Sequence, residues 1–256
     1  MNAVLLCAGF ATRMEPLTKD FPKPLLPVGG KPVIDHLIEQ LLGFSGLDSI
    51  YVVTNDKFFK QFIEWGEKIS GEVTGRGISL HVLNDGARGP ESRLGAAGDL
   101  GFAVRHLRKV EDTVVAAGDN IFRFPLRPRW EKFLSGDKSL VLAIPTDDAA
   151  KLKRTGVLDL DENDRVIAFH EKPGTPPSDL ACPALYFLKP GELGLIEGYL
   201  ASTGARDEIG YFISYIASQG EIYALRCSGE AIDIGTIEAY ERANELISAG
   251  HVIPES

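Results

Sequence analysis

The sequence contains few cysteines and comparatively few cationic residues. Its 3 cysteines show no CxxC spacing, and its 5 histidines form no HxxxH or HxH cluster. This argues against a disulfide framework and a zinc site, and it is typical of reduced thiols in a cytoplasmic protein. The 27 lysines and arginines are outnumbered by 36 aspartates and glutamates, which gives a formal net charge of -9. Because an acidic chain binds phosphate backbones poorly, we expect neither nucleic acid nor a membrane surface as a partner.

Long apolar runs are missing as well. No run approaches the roughly 18 residues of a membrane span. Residues 5–9 (Leu-Leu-Cys-Ala-Gly) faintly match a lipoprotein cleavage site, but no lysine or arginine precedes them, so we expect no signal peptide. The remaining composition, 44% hydrophobic and 25% charged, is ordinary for a globular protein, and 256 residues fit one large domain or two small ones.

The first half of the chain alternates β-branched runs with amphipathic stretches. Strands are predicted at residues 3–7, 49–54, 78–83 and 113–117, with helices after Pro32, after Phe58 and over residues 100–107. Such βαβ alternation predicts a Rossmann-like, mainly parallel sheet with helices on both faces. Ligands in these sheets bind beyond the carboxyl ends of the strands, so the candidate chemistry is sought there.

The second half has shorter strands and turns. A hairpin is predicted around residues 161–164. The other predicted strands are 140–144, 156–160, 166–170, 184–188 and 222–226, and the helices are 192–200, 208–217 and 237–248, the last with Thr236 as N-cap. We interpret the chain as one α/β domain whose second half inserts a small substrate-binding β subdomain.

The loop after the first strand is rich in small residues. Small side chains let backbone N–H groups approach a phosphate closely, and Arg13 adds a cation beside them. Lys23 follows between two prolines, which predicts extended backbone and a directed side chain. The loop matches neither the GxGxxG fingerprint nor a Walker loop. Taken alone, either cation would be read as a surface residue of a Pro-rich loop.

Together these residues resemble the signature of the nucleotide-sugar pyrophosphorylases, a nucleotidyltransferase family that includes glucose-1-phosphate thymidylyltransferases and uridylyltransferases and has a GT-A-like fold. Thr12-Arg13, Pro16-Leu17-Thr18 and residues 22–28 match its L-A-G-G-x-G-T-R-L, P-L-T and P-K-P-L-L-P-V strings. Ala8 and Ala11 stand where the family usually has glycine. Residues 117–120, 171–173 and 232–236 match its G-D, E-K-P and D-I-G-T motifs in the family's order.

The resemblance implies a reaction and a set of roles. A sugar-phosphate oxygen attacks the α-phosphorus of a nucleoside triphosphate (NTP), and pyrophosphate leaves. The family pattern implies that Asp119 and Asp233 hold one Mg²⁺, that Arg13 stabilises the β- and γ-phosphates, and that Lys23 neutralises the α-phosphate. Lys172 would hold the sugar phosphate, and Glu171 would accept bonds from sugar hydroxyls. No general base is needed, because a phosphate monoester, with a second pKa of about 6, is already nucleophilic.

The two substrate pockets follow from the same resemblance. The expected nucleotide-binding residues are Leu6, Ala8, Gly9, Ala11, Thr12, Asn84, Gly95, Ala96 and Gly118. The expected sugar-phosphate residues are Gly156, Glu171, Lys172 and Ala184. The stretch 85–93 is either a subgroup variant of the base-recognition loop or a long surface loop. We expect UTP or dTTP as donor and leave the sugar open; His170 is interpreted as a strand residue, not a catalyst.

Two other functions stay open from the sequence. One is a cytidylyltransferase that acts on a non-sugar phosphate or phosphonate; the other is a catalytically silent, regulatory subunit of the same fold. We divide the single domain into a nucleotide half (1–120), a sugar-phosphate half (121–235) and a closing helix with tail (236–256). No hexapeptide-repeat segment follows that helix, so a monofunctional enzyme is expected; the oligomeric state, with a homo-oligomer as one option, is left open.

Overall fold

The computed structural model describes residues 1–220 and 222–249; the end of the predicted tail, 250–256, lies outside them. In chain order the strands are β1 (Asn2–Leu6), β2 (Pro27–Val28), β3 (Lys31–Pro32), β4 (Ser49–Thr54), β5 (Ser79–Asn84), β6 (Thr113–Ala117), β7 (Asn120–Phe122), β8 (Ser139–Pro145), β9 (Gly156–Leu160), β10 (Val166–Glu171), β11 (Leu180–Cys182), β12 (Leu185–Leu188), β13 (Ile222–Arg226) and β14 (Ala231–Asp233). The helices are α1 (Val33–Leu41), α2 (Phe59–Gly75), α3 (Ala96–His106), α4 (Arg127–Leu134), α5 (Ala149–Leu152), α6 (Pro190–Gly194), α7 (Ile196–Thr203), α8 (Ile209–Gln219) and α9 (Ile237–Ser248).

One mixed sheet runs through both halves of the chain. Within the described residues it has 10 strands, in the order β10-β9-β11-β8-β12-β6-β1-β4-β5, with β13 added beside β8. The pairs of β1 with β4 and β6, of β4 with β5, and of β8 with β13 are parallel. From β12 outward to β10 the neighbours are antiparallel. The predicted α/β fold is confirmed, with a parallel centre and an antiparallel extension.

Alternate residues of the central strands point to opposite faces, as the pleat of a strand requires. Ala3 and Leu5 of β1 join one buried cluster, whereas Val4 joins another. The first cluster is closed by α1, α2 and α4, and the second by α3, α7 and α8. Helices therefore cover both faces of the sheet, which is why the strands read as continuous apolar runs.

A small third cluster fixes the closing helix. Val28, Ile121, Ile234 and Ala243 are buried together where α9 packs on β2 and β14. The hydroxyl of Thr236 accepts the Ala239 N–H at 3.2 Å, so the predicted N-cap of α9 is present. This packing holds β14 against β7, and it brings the chain after residue 230 back to the carboxyl end of β6.

Several local predictions differ from the structure. Residues 192–200 form two helices, α6 and α7, which meet at Leu195, in a segment where Gly191, Gly194 and Gly198 weaken helix propensity. Lys23 opens a short 3₁₀ turn (Lys23–Leu25) instead of an extended segment. Pro24 suits that turn because the first residues of a helix need no N–H donor. Among the described residues, no helix has the length and apolar character that a membrane crossing requires.

Candidate active site

A cleft of about 350 Å³ opens at the carboxyl ends of β1 and β6. Its walls come from the loop after β1, the segment that leads into α3, and the start of α8. The expected site residues that line it are Leu6, Ala8, Gly9, Ala11, Thr12, Arg13, Lys23, Gly95, Ala96 and Asp119. Residues far apart in sequence thus meet at the edge of the sheet where α/β proteins bind ligands.

The loop after β1 presents a row of backbone donors. No acceptor among the described residues takes the N–H groups of Gly9, Phe10, Ala11 or Thr12. Ala11 has a left-handed backbone, with φ 49° and ψ 38°, and its carbonyl accepts the Thr18 hydroxyl at 2.7 Å and the Met14 N–H at 2.9 Å. A left-handed residue followed by a helical turn forms an anion-binding concavity. The arrangement is suited to a phosphate chain.

Arg13 extends this donor row with a fixed charge. It lies in the 3₁₀ turn Thr12–Met14 and is exposed to the cleft. No carboxylate among the described residues forms an ion pair with it, so its guanidinium is available to an anionic ligand. Arginine can bind phosphate oxygens with two parallel hydrogen bonds.

Two carboxylates meet beside Lys23. Asp233 of β14 lies opposite Asn120 of β7, and the Ile234 N–H donates to the Asp119 carbonyl at 3.1 Å. Lys23 forms an ion pair with Asp119. Burial lowers the pKa of Lys23, but the charges of Asp119 and Asp233 outweigh it, so the net pKa is raised. Asp233 keeps some exposure to solvent, while the surrounding protein desolvates its carboxylate. This desolvation, and then the charge of Asp119, raise the pKa of Asp233.

These two carboxylates fit the implied Mg²⁺. The described residues contain no group of three histidines, cysteines or acidic residues placed to hold a metal by themselves. Magnesium often takes one or two carboxylates and completes its shell with substrate phosphates and water. Desolvation and the nearby charge of Asp119 raise the proton affinity of Asp233, so a divalent cation between the two carboxylates would neutralise their charge. Asp119 and Asp233 would hold such an ion at the mouth of the phosphate loop.

Glu171 ends β10 and Lys172 follows it, and both lie beside the start of α8, which forms one wall of the cleft. The Lys172 ammonium donates to Glu208 at 2.6 Å and lies 3.7 Å from Glu171. Glu208 itself lines the cleft. Gly210 leaves room for the Glu171 carboxylate, since a Cβ there would lie 1.7 Å from its Oε2. Burial, partly offset by Lys172, raises the pKa of Glu171 to about 7.

Three other expected residues, Gly118, Gly156 and Ala184, do not line the cleft. A Cβ on Gly118 would lie 2.2 Å from the Cys7 sulfur, and one on Gly156 would lie 2.3 Å from the Phe169 ring. The Ala184 carbonyl accepts the Ala117 N–H at 2.9 Å. His170 pairs with Asp159 at 3.0 Å across the β9–β10 hairpin, as expected for a strand residue. These contacts of Gly118, Gly156 and Ala184 shape the ends of the strands beside the cleft.

Asn84 is separated from the cleft that it was expected to line. Its side chain donates to Asp56 at 2.8 Å and accepts the Gly86 N–H at 2.9 Å. Pro90, Arg93 and Asp99 line the cleft nearby; they belong to the stretch 85–99, in which the sequence predicted individual binding roles only for Gly95 and Ala96. The sequence did carry a signal for Asp99, because an acidic residue is unusual in the otherwise small stretch Gly95-Ala96-Ala97-Gly98.

The segment before α8 was also overlooked. Asp207 and Glu208 line the cleft, and Arg93 lies 3.3 Å from the Asp207 carboxylate. The carbonyls of Arg206 and Asp207 accept N–H groups from the first turn of α3, at 3.0 Å from Ala97 and 2.9 Å from Ala96. One short segment therefore contacts both the expected base-binding loop and, through Glu208, Lys172.

Known proteins resemble this chain over nearly its whole length. The family model described as nucleotidyl transferase matches residues 2–250. The chain is 29% identical over 248 residues to a UTP--glucose-1-phosphate uridylyltransferase, AglF, of Haloferax volcanii, with 96% of each chain covered. It is 26% identical over 242 residues to the bifunctional protein GlmU of Methanocaldococcus jannaschii, which covers 92% of this chain and 51% of that protein. The chain thus spans about half the length of the GlmU relatives that it matches.

A solved structure has the same fold. It comes from Bacillus anthracis, carries the provisional name glucose-1-phosphate thymidylyltransferase, and was determined in complex with a sucrose. It superposes with a TM-score of 0.82 at 27% sequence identity, covering 97% of this chain and 95% of that chain. The likeness extends over the parallel centre and the antiparallel extension alike.

Proposed function

Because the chain belongs to the nucleotidyl transferase family, we propose that it joins an NTP to a sugar 1-phosphate, with Mg²⁺, and releases pyrophosphate. One observation supports this most strongly. A row of backbone donors, Arg13 and the Lys23–Asp119 pair line one cleft, and Asp233 and Lys172 lie beside it. Such an arrangement suits two phosphorylated reactants that repel each other.

The triphosphate would lie along the loop after β1. The N–H groups of residues 9–12 would bind its oxygens, and Arg13 would neutralise charge that develops on the leaving pyrophosphate. Preorganised donors of this kind act in the transition state without reorganising. Lys23 is already held by Asp119 at the strand end, so its charge is fixed beside the α-phosphorus. Positioning and charge neutralisation supply most of the catalysis in such transfers.

The acceptor would enter from the α8 side. Lys172 exchanges its exposed partner Glu208 for the sugar phosphate, while the nearly enclosed Glu171 faces sugar hydroxyls. The phosphate oxygen attacks the α-phosphorus, the bond to the β-phosphate oxygen breaks, and pyrophosphate departs. When bound, Mg²⁺ supplies charge neutralisation at the phosphate oxygens. UTP or dTTP is the favoured donor, in keeping with the uridylyltransferase and thymidylyltransferase names among the relatives.

The test is a matrix of UTP, dTTP, CTP, GTP and ATP against sugar 1-phosphates, read by pyrophosphate release with Mg²⁺ and with EDTA. We expect release that depends on Mg²⁺ and on a sugar 1-phosphate, strongest with UTP or dTTP. Choline phosphate and a phosphonate serve as the non-sugar acceptors. Release only with those acceptors and CTP would favour a cytidylyltransferase, and no release with any pair would favour the catalytically silent subunit.

A further inference from the structure

The wall of the cleft formed by α3 contains a buried carboxyl without an ordinary partner. Asp99 is 5% exposed, yet it lines the cleft. Its Oδ1 is buried and receives no hydrogen bond within residues 1–220 and 222–249. Buried polar atoms in folded proteins are nearly always hydrogen-bonded, and an unpaired one costs free energy. This carboxyl therefore calls for a functional or structural explanation.

Helix capping does not explain it. An acidic residue in a first helical turn often accepts the free N–H groups there. In α3 the N–H groups of Ala96 and Ala97 already donate to the carbonyls of Asp207 and Arg206. The carboxyl of Asp99 instead shares a helix face with Gly95 and Ala96, and helix side chains lean toward the N-terminus. That direction leads to the cleft.

Asp85 lies behind Asp99. Its Oδ1 accepts the Ala87 N–H at 2.7 Å, whereas its Oδ2 is buried and also without a donor. Two carboxyl oxygens can bond to each other only if one carries a proton. Burial, and then the charge of Asp85, raise the pKa of Asp99 to about 8, so the pair holds one proton near neutral pH. That proton joins the two carboxyls and occupies one oxygen of Asp99, so the other oxygen stays an acceptor on a residue that lines the cleft.

The neighbouring strand explains why Asp85, not Asn84, supports this position. Leu83 of β5 packs in the cluster that α3 closes. Side chains alternate along a strand, so Asn84 points to the opposite face, where it pairs with Asp56. Asp85 returns to the α3 face and meets Asp99. The residue that the sequence favoured for the base is thus turned away, and a carboxyl occupies the cleft wall.

Building on the proposed function, we propose that Asp99, held by Asp85, is a specificity-determining residue that accepts a hydrogen bond from the ring N3–H of uracil or thymine. N3–H is the one N–H donor on the pairing edge of these bases. Cytosine has the same shape but carries a bare ring nitrogen at this position, so it would face the Asp99 oxygen as a second acceptor. The pair would therefore select UTP or dTTP over CTP.

Calorimetric binding of UTP and CTP, without acceptor, tests the proposal independently of turnover. The wild-type protein should bind UTP at least about tenfold more tightly than CTP, since uracil completes the hydrogen bond whereas cytosine leaves a buried acceptor of Asp99 unpaired. Asp99→Ala should weaken UTP binding by about tenfold or more and leave CTP within threefold of its wild-type affinity. Asp99→Asn keeps the size and can turn an amide N–H toward cytosine, so CTP should approach UTP.

The matched control is Asp35→Ala. Asp35 is a half-buried carboxyl that accepts the Trp65 indole N–H at 2.7 Å, and it is not part of the cleft lining. This variant should lose stability without changing the UTP to CTP ratio. Equal losses for both nucleotides in Asp99→Ala, or a wild type that prefers CTP or GTP, would overturn the assignment. Because binding is measured without acceptor, absence of pyrophosphate release would count against the proposed function alone.

Discussion

Two lysines of the site are paired with carboxylates, and their settings differ. Lys23 has a side chain that is 15% exposed, and the charges of Asp119 and Asp233 together raise its pKa. Lys172 is 44% exposed, has a left-handed backbone with φ 46°, and pairs with the equally accessible Glu208. The first pair is enclosed and fixed in place. The second is held on a strained backbone next to solvent.

The difference separates a permanent charge from an exchangeable one. Removing one member of an enclosed pair leaves an uncompensated charge, which is strongly destabilising. An exposed pair contributes little by itself, about 0–1 kcal/mol, and is easily exchanged for another anion. We therefore expect the Lys23 side of the cleft to carry the chemistry and the Lys172 side to capture the acceptor. Variants on the two sides should produce different kinetic losses.

The largest loss of turnover is expected for Asp233, next to the Lys23–Asp119 pair. Asp233→Asn removes one of the two carboxylates that would hold Mg²⁺, so turnover should fall by about 10³ or more. The fold should persist, because β14 is held by α9 and β7 and not by this side chain. The measurement is kcat at limiting and saturating Mg²⁺, with circular dichroism as the control. Activity close to wild type at limiting Mg²⁺ would remove Asp233 from the metal site.

Arg13 should give the next largest effect. Arg13→Ala removes a charge aimed at the leaving pyrophosphate and should lower kcat by about 10²–10³, by analogy with loss of an oxyanion-hole donor. Arg13→Lys keeps the charge but not the two-pronged geometry, so it should recover only part of the rate. Both variants are compared with wild type by kcat and kcat/KM at saturating Mg²⁺. If Arg13→Ala stayed within about threefold of wild type, the triphosphate would be held elsewhere.

A substitution of the exposed Lys172 should change the KM for the acceptor. Lys172→Ala should raise the KM for the sugar 1-phosphate by about ten- to a hundredfold, the range of one charge-assisted hydrogen bond, with NTP affinity unchanged by calorimetry. Lys60→Ala is the matched control, because Lys60 is an exposed lysine that pairs with Glu64 on α2, away from the cleft. Loss of NTP affinity with unchanged sugar-phosphate kinetics would reverse the two assignments.

Asp99 should make the free energy of unfolding depend on pH. Folding keeps its proton bound up to about pH 8, whereas an unfolded aspartate releases it near pH 4. The folded state binds more protons in this window, so its free energy of unfolding falls as pH rises, by at most about 1.4 kcal/mol per pH unit. Asp99→Asn should flatten that decline between pH 5 and 8 in urea unfolding. An equal slope in both proteins would show that the pair does not share a proton.

The smallest effect is expected at Ala11. A left-handed alanine costs roughly 1–2 kcal/mol relative to the ordinary helical region. Ala11→Gly relieves this, but glycine gains entropy in the unfolded chain, which offsets about 0.5–1 kcal/mol. The net stability should rise by at most about 1.5 kcal/mol, without loss of NTP affinity. A clear drop in melting temperature would mean that the methyl group packs productively in this loop.

The sequence predicted long, strongly patterned elements well. The bounds of β4, β6, β9, β13 and α9 agree with the predicted ranges, because β-branched runs and a regular helical period each favour one structure. It did not predict β7, β11 and β14, whose three-residue length leaves no periodicity to read. Their pairing depends on tertiary contacts, and one of those contacts brings Asp233 to Asp119.

The sequence predicted the residues of the candidate site that belong to motifs. It did not predict those whose position depends on the direction of a side chain. Residues 8–13 of the loop after β1, which carry the motif, line the cleft. Asn84 and Asp85 are neighbours, and the alternation of a strand sends them to opposite faces; the sequence alone does not say which one meets α3. Glu208, the residue before α8, accepts a hydrogen bond from Lys172, which follows β10. The two residues are 36 positions apart in sequence, so no local pattern encodes this contact.

Attack on the α-phosphorus can be checked by following the fate of a labelled phosphate. Wild-type protein is incubated with Mg²⁺, a sugar 1-phosphate and UTP that carries ³²P at either the α- or the γ-position, and the products are separated by chromatography. We predict that the α-label appears in the nucleotide sugar and the γ-label in pyrophosphate. Transfer of the γ-label to the sugar would exclude attack on the α-phosphorus. Release of the γ-label as inorganic phosphate, with the α-label left in UDP, would exclude it as well.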